Sequence, residues 1–335
     1  MASPELSKLV QSVVEPYLLD GPRRYTRDDV AELSGVPTDL SRRLWISLGF
    51  PVNPDDRAVD YTDADVRAVR NFRSLDALSD ADVRRQQAAA RTLGQSMARL
   101  AEWQVDLVID EIADRIRTII ANDPTADEAK VAFEATTEVV SALQQMQAYA
   151  WRRHLAAALA RSMAGDGTGE TLRELAVGFA DMVGYTRLTR HLDPDELTAL
   201  LESFETITTD AITVNGGWVI KNVGDEVMFA AESAEAGSRI ALAIQEATFD
   251  AGATPELRVG LAYGQVLQRF GDLYGSVVNT AARLTGVARP GTVLVDDGVA
   301  GRLDGESEFT LRHLRSVRVR GFNRLRSHVL RRNQH

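Results

Sequence analysis

The sequence predicts two architectures in one chain: an α-helical N-terminal domain, then an α+β C-terminal domain built on one mixed or antiparallel sheet. Three observations carry this. Residues up to about 165 show apolar spacings of three and four in a background of Ala, Leu, Arg and Glu. Ala164-Gly-Asp-Gly-Thr-Gly169 then interrupts the pattern with turn-forming residues. Beyond it, short β-rich runs alternate with helical stretches. The expected boundaries are 1–163 for a helical regulatory domain, 164–171 for the linker and 172–335 for the second domain.

The N-terminal elements follow in order. Tyr25 to Tyr61 reads as helix, glycine turn at Gly35, helix and a wing-like stretch. This segment, 25–61, resembles the helix-turn-helix half of MerR-type regulators. Its second helix offers Arg42 and Arg43 but also Asp39, so a packing unit is expected there and nucleic-acid binding is not. Leu93, Met97, Leu100, Val105, Val108, Ile109, Ile112, Ile116 and Ile119 keep helical spacing, and Asn122-Asp-Pro124-Thr ends it. A further helix over Glu128–Met163 places Trp151, Leu155, Leu159 and Met163 on one stripe.

In the second half, strands are expected at Glu174–Ala180, Trp218–Val223, Val227–Ala231, Leu257–Tyr263, Val266–Phe270, Thr292–Val295 and Ser316–Arg320. Asp193-Pro194-Asp195-Glu196 is a helix start, with Asp193 as N-cap and Glu196 as the reciprocal acid.

Bulk properties narrow the function classes. The 335 residues are 44% hydrophobic and 26% charged, as in a globular protein. No apolar run approaches the roughly 18 to 20 residues of a membrane span, and the N-terminus lacks a signal peptide's basic head and apolar core. With no cysteine, thiolate metal sites and disulfides are excluded, and a cytoplasmic location is expected. A net charge of −10 disfavours nonspecific binding to nucleic acid or anionic membrane.

Three short segments carry chemistry. Asp181 and Asp225 each sit where an apolar strand breaks into a glycine-containing turn, in Val-Gly-Phe-Ala-Asp181-Met-Val-Gly and Lys221-Asn-Val-Gly-Asp225-Glu. A carboxylate at an apolar strand end costs several kcal/mol unless a cation meets it. Two of them suggest a divalent metal pair, of the kind that handles phosphates; Asp181 as a helix cap and Asp225 as a turn former are the plainer alternatives. Lys221 is one of only three lysines among 38 basic residues, which sets it apart from filler. It lies four residues from Asp225, roughly 13 Å along an extended strand, too far for a salt bridge. In Asp272-Leu-Tyr-Gly275-Ser-Val-Val-Asn279-Thr-Ala-Ala-Arg283, Asn279 and Arg283 share a helix face behind a glycine-bounded loop. A carboxylate, an amide and a guanidinium suit a base, a sugar and a phosphate; a capping aspartate and an ordinary helix arginine would read the same way.

Together these segments resemble the catalytic domain of class III nucleotidyl cyclases, over about residues 172–332. Phe-x-Asp181-x-x-Gly-Tyr-Thr is similar to that family's first metal motif, and Lys221-x-x-Gly-Asp225 to its purine-selecting lysine and second metal aspartate. Asp272-x-x-Gly-x-x-Val-Asn279-x-Ala-x-Arg283 is similar to its purine-selecting aspartate and transition-state asparagine and arginine. The resemblance implies a ferredoxin-like βαββαβ core and an adenylate cyclase that converts ATP to 3′,5′-cyclic AMP and pyrophosphate. It implies two Mg²⁺ or Mn²⁺ ions per site on Asp181 and Asp225, adenine read by Lys221 and Asp272, and Asn279 and Arg283 acting on ribose and phosphate. It also implies a homodimer with head-to-tail catalytic domains, so that Lys221 and Asp225 of one chain serve different sites. A guanylate cyclase, or a transcriptional regulator that senses nucleotide without catalysis, are the competing readings. The helical half, with its long last helix, resembles the regulatory domain of soluble actinobacterial members and is expected to control dimer geometry.

Overall fold

The computed structural model describes residues 12–74, 83–164, 172–251, 255–319 and 322–333. The expected linker, 164–171, lies outside the described residues except for Ala164. So do Arg320, at the end of an expected strand, and the side chain of Arg318. The chain divides into two compact units, Met1–Ala164 and Gly165–His335.

After a helical segment over residues 12–18, the first unit continues with three short helices: α1 (Arg27–Ser34), α2 (Thr38–Ser47) and α3 (Asp63–Ser74). Thr26 caps α1 and exchanges hydrogen bonds with Asp29 in a capping box, and Gly35 ends the helix in the left-handed region that glycine tolerates. A single bridge pairs Tyr25 with Tyr61, and Val30, Val36, Tyr61, Val66 and Val69 form a small core. Arg42 and Arg43 on α2 are exposed. The end of α2 rests on Gly94 of the next helix, where an added Cβ would lie 2.1 Å from the Leu48 carbonyl oxygen.

That next helix, α4 (Val83–Asn122), turns at 123–127 into α5 (Glu128–Ala164). Asp123 organises the turn by accepting from Thr125. The two helices run antiparallel: Gln104 bonds Gln147, Arg115 pairs with Glu138, and Ile112, Ile116, Val131, Ala135 and Val139 fill the seam. A cavity of about 800 Å³, lined mainly by apolar side chains such as Leu18, Val105, Ile109 and Leu143, lies beside this pair. Trp151, Leu155, Leu159 and Met163 of α5 are all exposed. Among the described residues, no helix is long and apolar enough to cross a membrane.

The second unit runs β1 (Leu172–Met182), α6 (Tyr185–Leu188), α7 (Pro194–Val214), β2 (Trp218–Val223), β3 (Glu226–Ala231), α8 (Ala234–Ala251), β4 (Leu257–Arg269), β5 (Asp272–Tyr274), α9 (Ser276–Val287), β6 (Thr292–Val295), α10 (Asp297–Arg302), β7 (Phe309–Val319) and β8 (Phe322–Arg332). Asp193 and Glu196 form the capping box that opens α7. The sheet is mixed, in order β2-β3-β1-β4-β6-β8-β7 with β5 on β4, and among the described strands β4 and β6 are the only neighbours that pair in parallel. Its first four strands, with α7 and α8, make the ferredoxin-like βαββαβ arrangement.

Three strand expectations needed correction. Leu257–Tyr263 and Val266–Phe270 are one continuous strand, because Gly264 and Gln265 stay paired to β1 opposite Leu175 and Glu174. Asp272–Tyr274 is a strand rather than a loop. The expected Ser316–Arg320 strand is the end of a longer β7, paired to β8. The arginine-rich sequence hides this last pair, since edge strands commonly carry charged residues.

Both sheet faces are covered. Ala176, Ala180, Val227, Phe229, Val259 and Leu261 pack under α7 and α8 with Phe204, Ile212, Ile240 and Ile244. Leu175, Val177, Phe179, Met228, Ala230, Leu273, Val277 and Ala281 form the opposite layer, under α9.

Candidate active site

Alternation along β1 sends Leu175, Val177 and Phe179 into the α9 layer, and Asp181 continues that face at the strand end. Its side chain is only 12% exposed. The sheet register places Glu226 of β3 and Arg258 of β4 on either side of it, giving a row Glu226–Asp181–Arg258. The Arg258 guanidinium donates to the Asp181 carboxylate and also to the Gly286 carbonyl at the end of α9, at 3.5 Å.

Asp225 lies in the two-residue turn between β2 and β3, preceded by Gly224 at φ 61°. The Met182 amide donates to the Asp225 carbonyl oxygen at 3.0 Å, which ties this turn to the end of β1. Burial holds the Asp225 carboxyl above its ordinary range, and the Asp181 charge adds to the effect. Burial raises Glu226 as well, with further contributions from Asp181 and Asp225. Three carboxylates thus face one guanidinium in partly desolvated surroundings.

The residues fit a hard divalent cation. Among the described residues no three His, Cys, Asp or Glu side chains converge closely enough to hold a metal by themselves. Two carboxylates with the remaining positions open to water and phosphate oxygens is the donor set on which Mg²⁺ is ordinarily held with a nucleotide. Asp225, whose ionised form is penalised by burial and by Asp181, would gain directly from a nearby positive charge.

The other candidates gather elsewhere. Lys221 Nζ donates to Asp272 Oδ2 at 2.7 Å, with both side chains partly exposed. Asp272 Oδ1 also accepts from the Leu273 amide at 2.8 Å, which fixes the carboxylate's orientation. Asp272 opens β5 after a two-residue hairpin turn in which Phe270 and Gly271 both have positive φ. Asn279 and Arg283 stand one turn apart on α9, the first exposed and the second half-buried. Close packing sets the position of α9. A Cβ on Gly260 would lie 2.3 Å from the Thr285 amide, and the Thr285 hydroxyl donates to the Phe179 carbonyl at 3.2 Å.

The six residues expected from sequence therefore fall into a carboxylate group, Asp181 and Asp225, a lysine–aspartate pair, Lys221 and Asp272, and the α9 pair, Asn279 and Arg283. Arg258 and Glu226 were missed. Their association with Asp181 is set by register between strands, which no local motif reports; the sequence signal is a charge near the start of a largely apolar strand.

Residues 169–332 match the adenylate and guanylate cyclase catalytic domain family. An adenylate cyclase of Streptomyces coelicolor is 38% identical over 87% of this chain and 74% of its own length. An adenylate cyclase of Streptomyces griseus is likewise 38% identical, over 87% of this chain and 71% of its own. One from Glutamicibacter nicotianae is 32% identical over 98% of this chain and 84% of its own.

Proposed function

The chain belongs to the class III adenylate and guanylate cyclases, and on that premise we propose that it converts ATP to 3′,5′-cyclic AMP and pyrophosphate. The observation that carries the choice of ATP is the Lys221–Asp272 pair, a donor and an acceptor held 2.7 Å apart. Lys221 donates to adenine N1, and Asp272 accepts from the N6 amine. Guanine presents a donor to Lys221 and an acceptor to Asp272. Each opposed group costs ~1–3 kcal/mol.

Asp181 and Asp225 would hold two Mg²⁺ or Mn²⁺ ions. When bound, these supply Lewis-acid charge to the ribose 3′-hydroxyl and to the triphosphate. Arg258 donates to Asp181 and balances its charge. Asn279 orients the ribose so that the 3′-oxygen attacks the α-phosphorus, and Arg283 meets the charge that builds there while pyrophosphate leaves.

The site is shared between two copies of the chain, arranged head to tail. One contributes Asp181 and Asp225, and the other Lys221, Asp272, Asn279 and Arg283. The separate company kept by Lys221 and Asp225 supports this division. It makes a homodimer with two equivalent sites, inactive as a monomer. The helical N-terminal unit controls the register of the two copies through α5, which runs up to the linker.

Incubation of the purified protein with ATP and Mn²⁺ tests the proposal. Cyclic AMP should form with wild type and fall by at least about a hundredfold with Asp225→Ala. Absence of product from either chain would instead favour the nucleotide-sensing regulator, and equal turnover by both would remove Asp225 from the mechanism. A higher kcat/KM for GTP would favour the guanylate cyclase.

A further inference from the structure

β2 lies at the edge of the sheet, and it is irregular. Val219 pairs with Phe229 and Lys221 pairs with Met228, so Ile220 has no partner on β3. One residue is inserted immediately before the lysine.

Neighbouring residues of a regular strand point to opposite faces. Here Trp218 and Ile220 pack against the layer that contains Met228, Leu273 and Val277, whereas Val219 packs into the layer on the other side. Lys221 stands opposite Met228 and so shares the face of Ile220. Two consecutive side chains on one face are the signature of a β-bulge, which bends its strand and increases the local twist. The next polar contact along that face is the bond from Lys221 Nζ to Asp272 Oδ2, between strands that do not pair with each other. Leu273, beside Asp272, is buried in the same layer as Met228, so the carboxylate end of this contact is fixed by packing. The lysine end is aimed by the strand that carries it.

We propose that the Ile220 bulge is a positioning device that aims Lys221 at the purine and thereby sets the preference for ATP over GTP. This rests on the adenine reading of Lys221 and Asp272. Ile220 touches no substrate in this account. It acts through the bend it imposes on β2, and the same bend lets Asp225 keep its two-residue turn while Trp218 stays packed against the core.

Two variants separate the bend from the side chain. Deleting Ile220 makes the Val219–Phe229 and Lys221–Met228 pairs adjacent, restoring an unbroken ladder and leaving the other pairs in place. Ile220→Ala keeps the bulge and trims only the packing. The ratio of kcat/KM for ATP to that for GTP should fall about tenfold in the deletion chain, toward the value for Lys221→Ala. It should stay at the wild-type value in Ile220→Ala, and adding Lys221→Ala to the deletion should cost no further selectivity. If circular dichroism shows that the deletion chain does not fold, Ile220→Gly loosens the bulge instead, with an expected loss of about threefold. Wild-type selectivity in the folded deletion chain, or in Ile220→Gly where that stands in, overturns the inference. An equal loss in Ile220→Ala also overturns it. A Lys221→Ala chain that keeps the wild-type preference overturns the adenine reading, and the role of the bulge with it.

Discussion

Arg258→Ala should make the protein less stable without divalent cation and more responsive to it. The Asp181 carboxylate is only 12% exposed, the guanidinium beside it is 36% exposed, and Asp225 and Glu226 add negative charge nearby. Removing one partner of a fully buried pair costs about 3–5 kcal/mol, and an exposed pair is worth about 1 or less. The half-exposed arginine places this case near about 2 kcal/mol. For a unit of this size that corresponds to a melting temperature lower by about 4–8 °C. The same change removes the cation that competes for Asp181. If Mn²⁺ then binds about tenfold tighter, its stabilisation at a fixed excess concentration grows by about 1.4 kcal/mol over that of wild type. Thermal melts with and without Mn²⁺, supported by calorimetric titration of the metal alone, read both effects. Arg258→Lys should fall between the two chains. An Arg258→Ala protein that melts with wild type and gains the same increment from Mn²⁺ would show that the guanidinium does not hold Asp181 against the metal.

Other expectations follow from the same geometry. Burial and Asp181 raise the Asp225 carboxyl, so its ionisation penalises the folded state. That penalty is absent in acid and grows as the pH rises through the folded-state value, so the advantage of Asp225→Asn over wild type in metal-free denaturation should increase upward from about pH 4. An advantage that shrinks with rising pH would contradict the electrostatic reading. Asp272→Ala should lower the ATP-to-GTP ratio of kcat/KM about tenfold, with a smaller change in melting temperature because the Lys221–Asp272 pair is partly exposed. Gly260→Ala forces a Cβ against the Thr285 amide and the Ala281 carbonyl. It should cost about 1–3 kcal/mol and reduce turnover beyond that by shifting Asn279 and Arg283 on α9; full activity in a destabilised protein would sever α9 placement from catalysis.

Different parts of this chain were legible in sequence to different degrees, for physical reasons. The helix ends were written locally: the Asp193–Glu196 box needs only neighbouring side chains, and the turn at Asn122-Asp-Pro124 needs only its own residues. Asp181, Lys221, Asp225, Asp272, Asn279 and Arg283 could be singled out because glycine turns and helix spacing mark them within short segments. The row Glu226–Asp181–Arg258 could not, since three strands distant in sequence supply it and only their register aligns them. The bulge at Ile220 escaped for a related reason. A count of four residues between Lys221 and Asp225 assumes an even strand, and the extra residue lies just before the counted interval. The final pair of strands was obscured because arginines occupy positions where apolar residues would have declared the alternation.

The central claim is that one catalytic site draws on two copies of the chain, and complementation tests it directly. Asp225→Ala and Arg283→Ala chains are each expected to be inactive alone. Dissociated, mixed in equal amounts and reassociated, half of the dimers carry one of each, with one intact site and one doubly damaged site. Cyclic AMP formation should therefore recover to about a quarter of the wild-type rate. A mixture that stays as inactive as its components, with mixed dimers demonstrated by differential tags, would mean that Asp225 and Arg283 act within a single chain.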